Sequence, residues 1–303
     1  MPDFAWIDLL EQTPLLLNAV AILLGLILGS FLNVVILRLP RIMEDGWARD
    51  CAELSGDGAD ADSDPNPSEP TVPRLSLSSP PSTCPACGHR IRAHENIPIL
   101  SYLLLRGRCS ACGVGISPRY PIIEGFTALL TLAVVMQFGL TWQTPPAMLL
   151  TWALIALAII DYDTQLLPDS ITLPLVWLGL ILSLFGLFTD SQSAIIGAVA
   201  GYLSLWTVFQ LFRLATGKEG MGYGDFKLLA LFGAWFGWQF LPQVVLLSAL
   251  TGALLGLLLI TSGRQHRDKP MPFGPFLAAA GWISLLWGNA INDAYLRFSG
   301  LGS

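Results

Sequence analysis

The chain has 303 residues, 53% of them apolar and only 13% charged, with 16 Lys and Arg set against 22 Asp and Glu. Together with a mean hydropathy of +0.60, this excludes the two water-soluble domains that length alone would allow and makes lipid the main solvent. The formal charge of −6 says little about partners, because Asp and Glu contribute weakly to membrane orientation; no nucleic-acid partner is expected.

The first apolar block, roughly 14–37, is preceded by Asp3, Asp8 and Glu11 with no Lys or Arg. Its length exceeds a cleavable signal's apolar core, so an uncleaved anchor is expected. Seven further blocks follow at about 121–139, 145–161, 171–188, 192–212, 226–240, 242–262 and 271–288. In hydrocarbon each can satisfy its backbone only as a helix, although the sixth is short enough to tilt or re-enter. The expected fold is an all-α polytopic membrane protein of about eight transmembrane helices with a cytoplasmic zinc-binding loop. Its expected parts are an anchor (1–38), a cytoplasmic loop (39–120) and a transmembrane bundle (121–303).

Basic residues set the orientation. Eight spans with both termini outside place 38–120, 162–170, 213–225 and 263–270 in the cytoplasm. These connections and their edges hold every Lys and Arg except Arg297, whereas the external connections near 140–144, 189–191 and 241 hold none. That asymmetry is the positive-inside pattern.

The long first loop divides in two. Residues 44–82 are rich in Asp, Glu, Ser, Pro and Gly and read as a flexible acidic insertion, with Cys51 a bystander within it. Residues 84–112 carry Cys84-Pro85-Ala86-Cys87-Gly88 and Cys109-Ser110-Ala111-Cys112-Gly113, two CxxCG knuckles 21 residues apart. Four thiolates complete a tetrahedral zinc shell with no open position, which makes the site structural rather than catalytic. Two disulfides are the alternative, disfavoured in a reducing cytosol. His89 and His94 are within reach as substitute ligands but read as surface residues.

Ionisable groups next to lipid are costly and point to function. Asp161 and Asp163 end the third block, and Gly220-Met221-Gly222-Tyr223-Gly224-Asp225-Phe226-Lys227 opens the sixth. Taken singly, Asp225 also suits a helix N-cap, Asp161 and Asp163 suit interfacial ends, and Asp169 suits the cap of the fourth span. Membrane geometry nevertheless sets Asp161 and Asp225 at one depth. Two carboxylates that meet share a proton and titrate as a pair, which is what aspartic peptide hydrolysis needs. Gly222 and Gly224 would let an extended peptide approach Asp225. The three His residues all lie in loops, so no nucleophile–base pair for serine or cysteine catalysis is apparent in the spans. A transporter reading lacks both an internal repeat and a midplane acid.

Ordered motifs along nearly the whole chain carry a resemblance. They are Gly29-Ser30-Phe31-Leu32-Asn33-Val34-Val35 with Arg38-Leu39-Pro40, the cysteine knuckles, Glu95-Asn96-Ile97-Pro98, Arg119-Tyr120-Pro121 with Glu124, Asp161 with Leu167-Pro168, the glycine-rich string from Gly217 to Lys227, and Pro272-Phe273-Gly274-Pro275. The chain thereby resembles the type 4 prepilin peptidases (prepilin leader peptidase/N-methyltransferase) of bacteria. The resemblance implies removal of the leader from type IV prepilins and type II secretion pseudopilins at the cytoplasmic face of the inner membrane, followed by N-methylation of the new N-terminus with S-adenosylmethionine. It makes Asp161 and Asp225 the catalytic pair and Cys84, Cys87, Cys109 and Cys112 the zinc ligands. For methyl transfer, Asn33, Arg38, Gly107 and Glu124 are the candidate contributors; Glu124 has a structural ion pair with Arg119 or Arg38 as its alternative. Partners implied are the pilin substrates and the lipid bilayer. Oligomeric state is not legible.

Overall fold

The computed structural model of the protein describes residues 10, 12–55, 75–218, 220–262 and 272–298. These residues form nine α-helices: α1 (Pro14–Leu54), α2 (Leu100–Leu104), α3 (Arg119–Phe138), α4 (Thr144–Thr164), α5 (Asp169–Ser183), α6 (Ser191–Thr216), α7 (Tyr223–Phe236), α8 (Leu241–Thr261) and α9 (Gly274–Phe298). Among them there is no strand, only two isolated bridges, Thr83 with Arg90 and Arg108 with Gly115. Each of the eight apolar blocks coincides with a helix, α2 being an extra short turn in the first loop.

By length and composition, five stretches are able to cross a membrane: α1, α3, α4, α6 and α8 with the preceding turn from Trp238. The 15 residues of α5 and 14 of α7 span only about 22 and 21 Å at 1.5 Å per residue, less than the roughly 30 Å of hydrocarbon. The expected eight full-length spans are therefore eight apolar helices, of which five meet the criterion. The last basic connection, 263–270, and both chain ends lie outside the described residues.

One correction concerns the first loop. Helix α1 runs 41 residues to Leu54 and carries Pro40 inside it, so 44–54 is helical rather than flexible. Ala, Glu, Arg and Leu in Glu44–Leu54 favour that continuation. The rest of the acidic stretch, 56–74, is not described.

The chain divides into two compact units, Ile22–Leu129 and the remainder. In the larger, α7 is the core: Phe226 and every residue from Leu228 to Phe236 are buried. Helix α6 reaches it through small residues, since a Cβ on Gly201 would lie 2.7 Å from the Leu229 carbonyl and one on Gly197 would collide with the Gly233 carbonyl. Gly197-x-x-x-Gly201 is the close-approach spacing used between helices where lipid supplies no hydrophobic drive. On the α5 side, Gly179 makes room for the indole of Trp235, whose Nε1 donates to the Leu175 carbonyl at 2.8 Å. Helix α9 completes the enclosure, with Gly281 seated against the Phe232 ring.

In the smaller unit, α1 and α3 approach at Gly29, where a Cβ would lie 2.7 Å from Glu124 Cα. Asn33 Nδ2 donates to the Tyr120 carbonyl at 3.3 Å, and Arg38 donates to Ser76 O at 3.0 Å, fastening residues 75–82 to α1.

Candidate active site

Helix α4 ends at Thr164 with Gln165 in the left-handed conformation, its N–H returning to the Asp161 carbonyl. That termination leaves Asp161 in the last turn of an otherwise apolar helix. Its side chain is 6% exposed, and Oδ2 accepts the Gly274 N–H at 2.9 Å. A Cβ on residue 274 would sit 2.5 Å from the same oxygen, so only glycine allows this contact.

Asp225 is the third residue of α7. The N-cap is Gly222, so Asp225 does not cap the helix in the N-cap position. It is also 6% exposed, and Gly224 beside it packs on Leu167, six residues past Asp161. The fold thus places the two acids, 64 positions apart in the chain, on adjoining elements. Asp163, two residues from Asp161, is exposed instead.

The glycines before Asp225 divide their work. Gly222 has open space where a side chain would be, whereas a Cβ on Gly224 would lie 2.6 Å from Leu167 Cβ. Gly222 therefore leaves room for an approaching chain, while Gly224 is required for packing: it admits the Leu166-Leu167 connection that follows Asp161. Asp169 is corrected as well. Pro168 holds the N-cap position of α5, and the Asp169 carboxylate instead takes Lys227 Nζ at 2.7 Å on each oxygen. This pair links the starts of α5 and α7 beside the two buried acids.

In the smaller unit the cysteine knuckles share one geometry. Cys84 N–H donates to His89 O and Gly88 N–H to Cys84 O; Cys109 N–H donates to Val114 O and Gly113 N–H to Cys109 O. Gly88 and Gly113 both have φ of 71°, the left-handed turn that favours glycine after the second Cys. All four sulfurs lie within 4.8 Å of one another, and Cys84 Sγ is 3.9 Å from Cys112 Sγ. Sulfurs placed about 2.3 Å from one tetrahedral ion are about 3.8 Å apart, so the cluster fits a metal ion. The four thiols are free, as is the exposed Cys51. The backbone N–H groups of Cys87 and Ala86 lower the Cys84 thiol to about 7, while burial and the neighbouring thiols push Cys87 up to about 12, so the thiols of the cluster titrate together.

Glu95 ties the knuckles together. It accepts the Arg92 N–H at 2.8 Å, Ser110 Oγ at 2.5 Å and pairs with His89 Nε2 at 3.2 Å. The Arg92 N–H and the Ser110 hydroxyl hold its carboxyl down to about 2. His89 is thus an outer partner of the cluster. Sequence reasoning gave Glu95 and Gly274 no role: both stand in motifs, but their partners are backbone or loop groups that only the fold supplies.

Beside the knuckles lies a cavity of about 660 Å³ lined by Asn33, Arg38 and Glu124, three of the four candidates for methyl transfer. Gly107 stands behind it, with φ of 66° and its missing Cβ facing the Tyr102 ring at 2.9 Å. Glu124 accepts the Ile99 N–H at 2.8 Å and the Ser30 side chain; Arg38, one partner of the alternative ion pair, is engaged with residues 76–82.

Two family models match the chain. The Bacterial Peptidase A24 N-terminal domain covers residues 23–138, and the Type IV leader peptidase family covers 148–257. The chain is 53% identical to a prepilin leader peptidase/N-methyltransferase of Pseudomonas aeruginosa over 97% of its length and 98% of the relative's. It is 52% identical to the enzyme of that name from Aeromonas hydrophila, over 96% and 97%. With the one from Burkholderia pseudomallei it shares 49% identity over 89% and 85%. No solved structure matches.

Proposed function

The chain belongs to the type IV leader peptidase family, and from that membership and the site geometry we propose that Asp161 and Asp225 perform the peptide cleavage. The protein is a multi-pass membrane enzyme that removes the leader peptide from prepilins and N-methylates the residue so exposed. In our reading it also serves type II secretion pseudopilins. It lies in the bacterial inner membrane, with the cysteine loop in the cytoplasm and both termini in the periplasm.

The observation that carries the assignment is the burial of two acids, each 6% exposed, at the end of α4 and the start of α7, where Gly224 packs against the Leu167 connection that leaves Asp161. Two such carboxyls hold one proton between them. With the scissile bond seated over the pair, the ionised member takes a proton from a water molecule, and the water oxygen bonds to the carbonyl carbon. The protonated member gives its proton to the carbonyl oxygen. Collapse of the tetrahedral species breaks the C–N bond, and the proton returned to nitrogen releases the new N-terminal amine. The Gly274 N–H keeps Asp161 from turning away from the substrate, and the open side of Gly222 admits the peptide.

The four cysteines hold zinc in this reading, and its role is to fold the knuckles, because four thiolates leave no position for water. S-Adenosylmethionine, when bound, supplies an electrophilic methyl group.

Replacement of each acid tests the peptidase assignment. Asp161→Asn and Asp225→Asn should each abolish the leader-loss shift of a prepilin on a gel while the protein still accumulates in the membrane. Asp163→Asn should retain most cleavage. Normal processing by either of the first two variants would remove the aspartic mechanism.

A further inference from the structure

We propose that Glu124, in the wall of the cavity where the methyl-transfer candidates gather, is the group that takes the proton from the incoming N-terminal amine. This rests on the methyltransferase reading above and deepens it.

The cavity's volume of about 660 Å³ lies within the roughly 300–1,000 Å³ of small-molecule sites. Its wall is mixed in character: Tyr102 and Tyr120 offer aromatic faces, Arg41 a cation, and Glu95 and Glu124 anions. A methyl donor with a flat base, a carboxylate and a sulfonium asks for those three chemistries.

Glu124 stands apart among these groups. It is a carboxylate 7% exposed on an apolar helix, and a buried charge is retained only where something compensates it. Two neutral groups donate to it, the Ile99 N–H and the Ser30 side chain. Ile99 itself has φ of 57°, a region that a β-branched residue rarely adopts, and strain of this kind gathers at functional sites. The carboxylate and the strained turn that holds it both border the cavity.

The chemistry needs such a group. An α-amine with a pKa of about 8 arrives mostly as ammonium at neutral pH and has no lone pair to offer. Transfer of one proton to the Glu124 carboxylate frees that lone pair. The amine nitrogen then bonds to the methyl carbon while the carbon–sulfur bond breaks, its electron pair staying on sulfur as a neutral thioether. The product leaves as a methylammonium, and Glu124 returns its proton to solvent.

The test uses purified, zinc-loaded full-length protein and a synthetic peptide that already carries a free N-terminal amine, so leader cleavage does not enter. Glu124→Gln should slow methylation by about 100-fold near neutral pH, the lower end of general-base effects. Raising the pH to about 9.5, where the ammonium loses its proton unaided, should bring the deficit below about fivefold. Glu124→Asp should recover part of the neutral rate. A deficit that stays constant with pH would mark Glu124 as a prop for the Ile99 turn and overturn its role.

The cavity's part is tested by calorimetry with S-adenosyl-L-homocysteine. A Cβ on Gly115, in the cavity wall, meets nothing within 4 Å, so Gly115→Trp should fill the cavity, keep the zinc content and weaken this probe at least about tenfold. Unchanged binding would overturn the location. Wild-type protein that cuts leaders yet neither binds the probe nor methylates the peptide would instead overturn the methyl-transfer reading itself.

Discussion

Gly274 and Glu95 show what one residue does in this protein. The Gly274 N–H fixes one oxygen of Asp161, and a methyl group there would occupy that oxygen's place. Gly274→Ala should therefore lower kcat for leader cleavage at least about tenfold, the effect of an ångström-scale misplacement, with a smaller change in KM; equal effects on both would deny the positioning role. Glu95 joins the knuckles as an anion. Its carboxyl is held below the ordinary range in the folded state, so its contribution is complete above the unfolded value of about 4.3 and is lost as pH falls toward about 2. Glu95→Gln lacks that contribution at every pH. The acid midpoint for metal release should then move to higher pH, and an unmoved midpoint would show that Glu95 does not hold the knuckles.

Helix α7 explains how so short an element sits in a membrane protein. Its burial against α5, α6 and α9 means that protein rather than lipid meets its sides, so 14 residues suffice where a lipid-facing helix needs about 20. The α6–α7 contact depends on backbone against backbone at Gly197 and Gly233. Gly233→Leu should overpack this seam, lower the unfolding temperature and cost about 1–3 kcal/mol or more. Leader cleavage should fall in parallel, because Asp225 rides on the same helix. The Asp169–Lys227 pair is partly exposed, and such pairs contribute at most about 1 kcal/mol. Lys227→Ala should thus leave the unfolding temperature nearly unchanged; a fall of many degrees would show the pair to be a major tie between α5 and α7.

At the scale of the whole chain, metal and orientation can be checked separately. Purified protein should carry one zinc, and replacement of all four Cys by Ser should remove it and disorder the knuckles while the helices of the larger unit stay folded. Metal analysis finding none, with thiols paired, would reverse the metal assignment. In the orientation proposed from the distribution of Lys and Arg both termini are periplasmic, so a phosphatase reporter that works only outside the cytoplasm should be active when fused after Ser303. An inactive fusion would invert the topology and leave the aspartates on the wrong face for a cytoplasmic leader.

The sequence by itself determined the helical membrane class and the knuckles, and it singled out the two acids proposed for cleavage. Each follows from local signals: unbroken apolar runs that must hydrogen-bond internally, CxxCG spacing that must turn around one centre, and carboxylates too costly near lipid to be idle. Tertiary structure decided the rest. Gly224 looked like a substrate glycine, but Leu167 arrives from another connection to claim its space. Asp169 looked like a cap, but Lys227 comes from a helix 58 residues on. Glu124 stands on an apolar helix, and the backbone that holds it, at Ile99, comes from 25 residues away. Partners such as these are fixed by which helices pack together, and no periodicity within one segment records what a distant segment will bring to it.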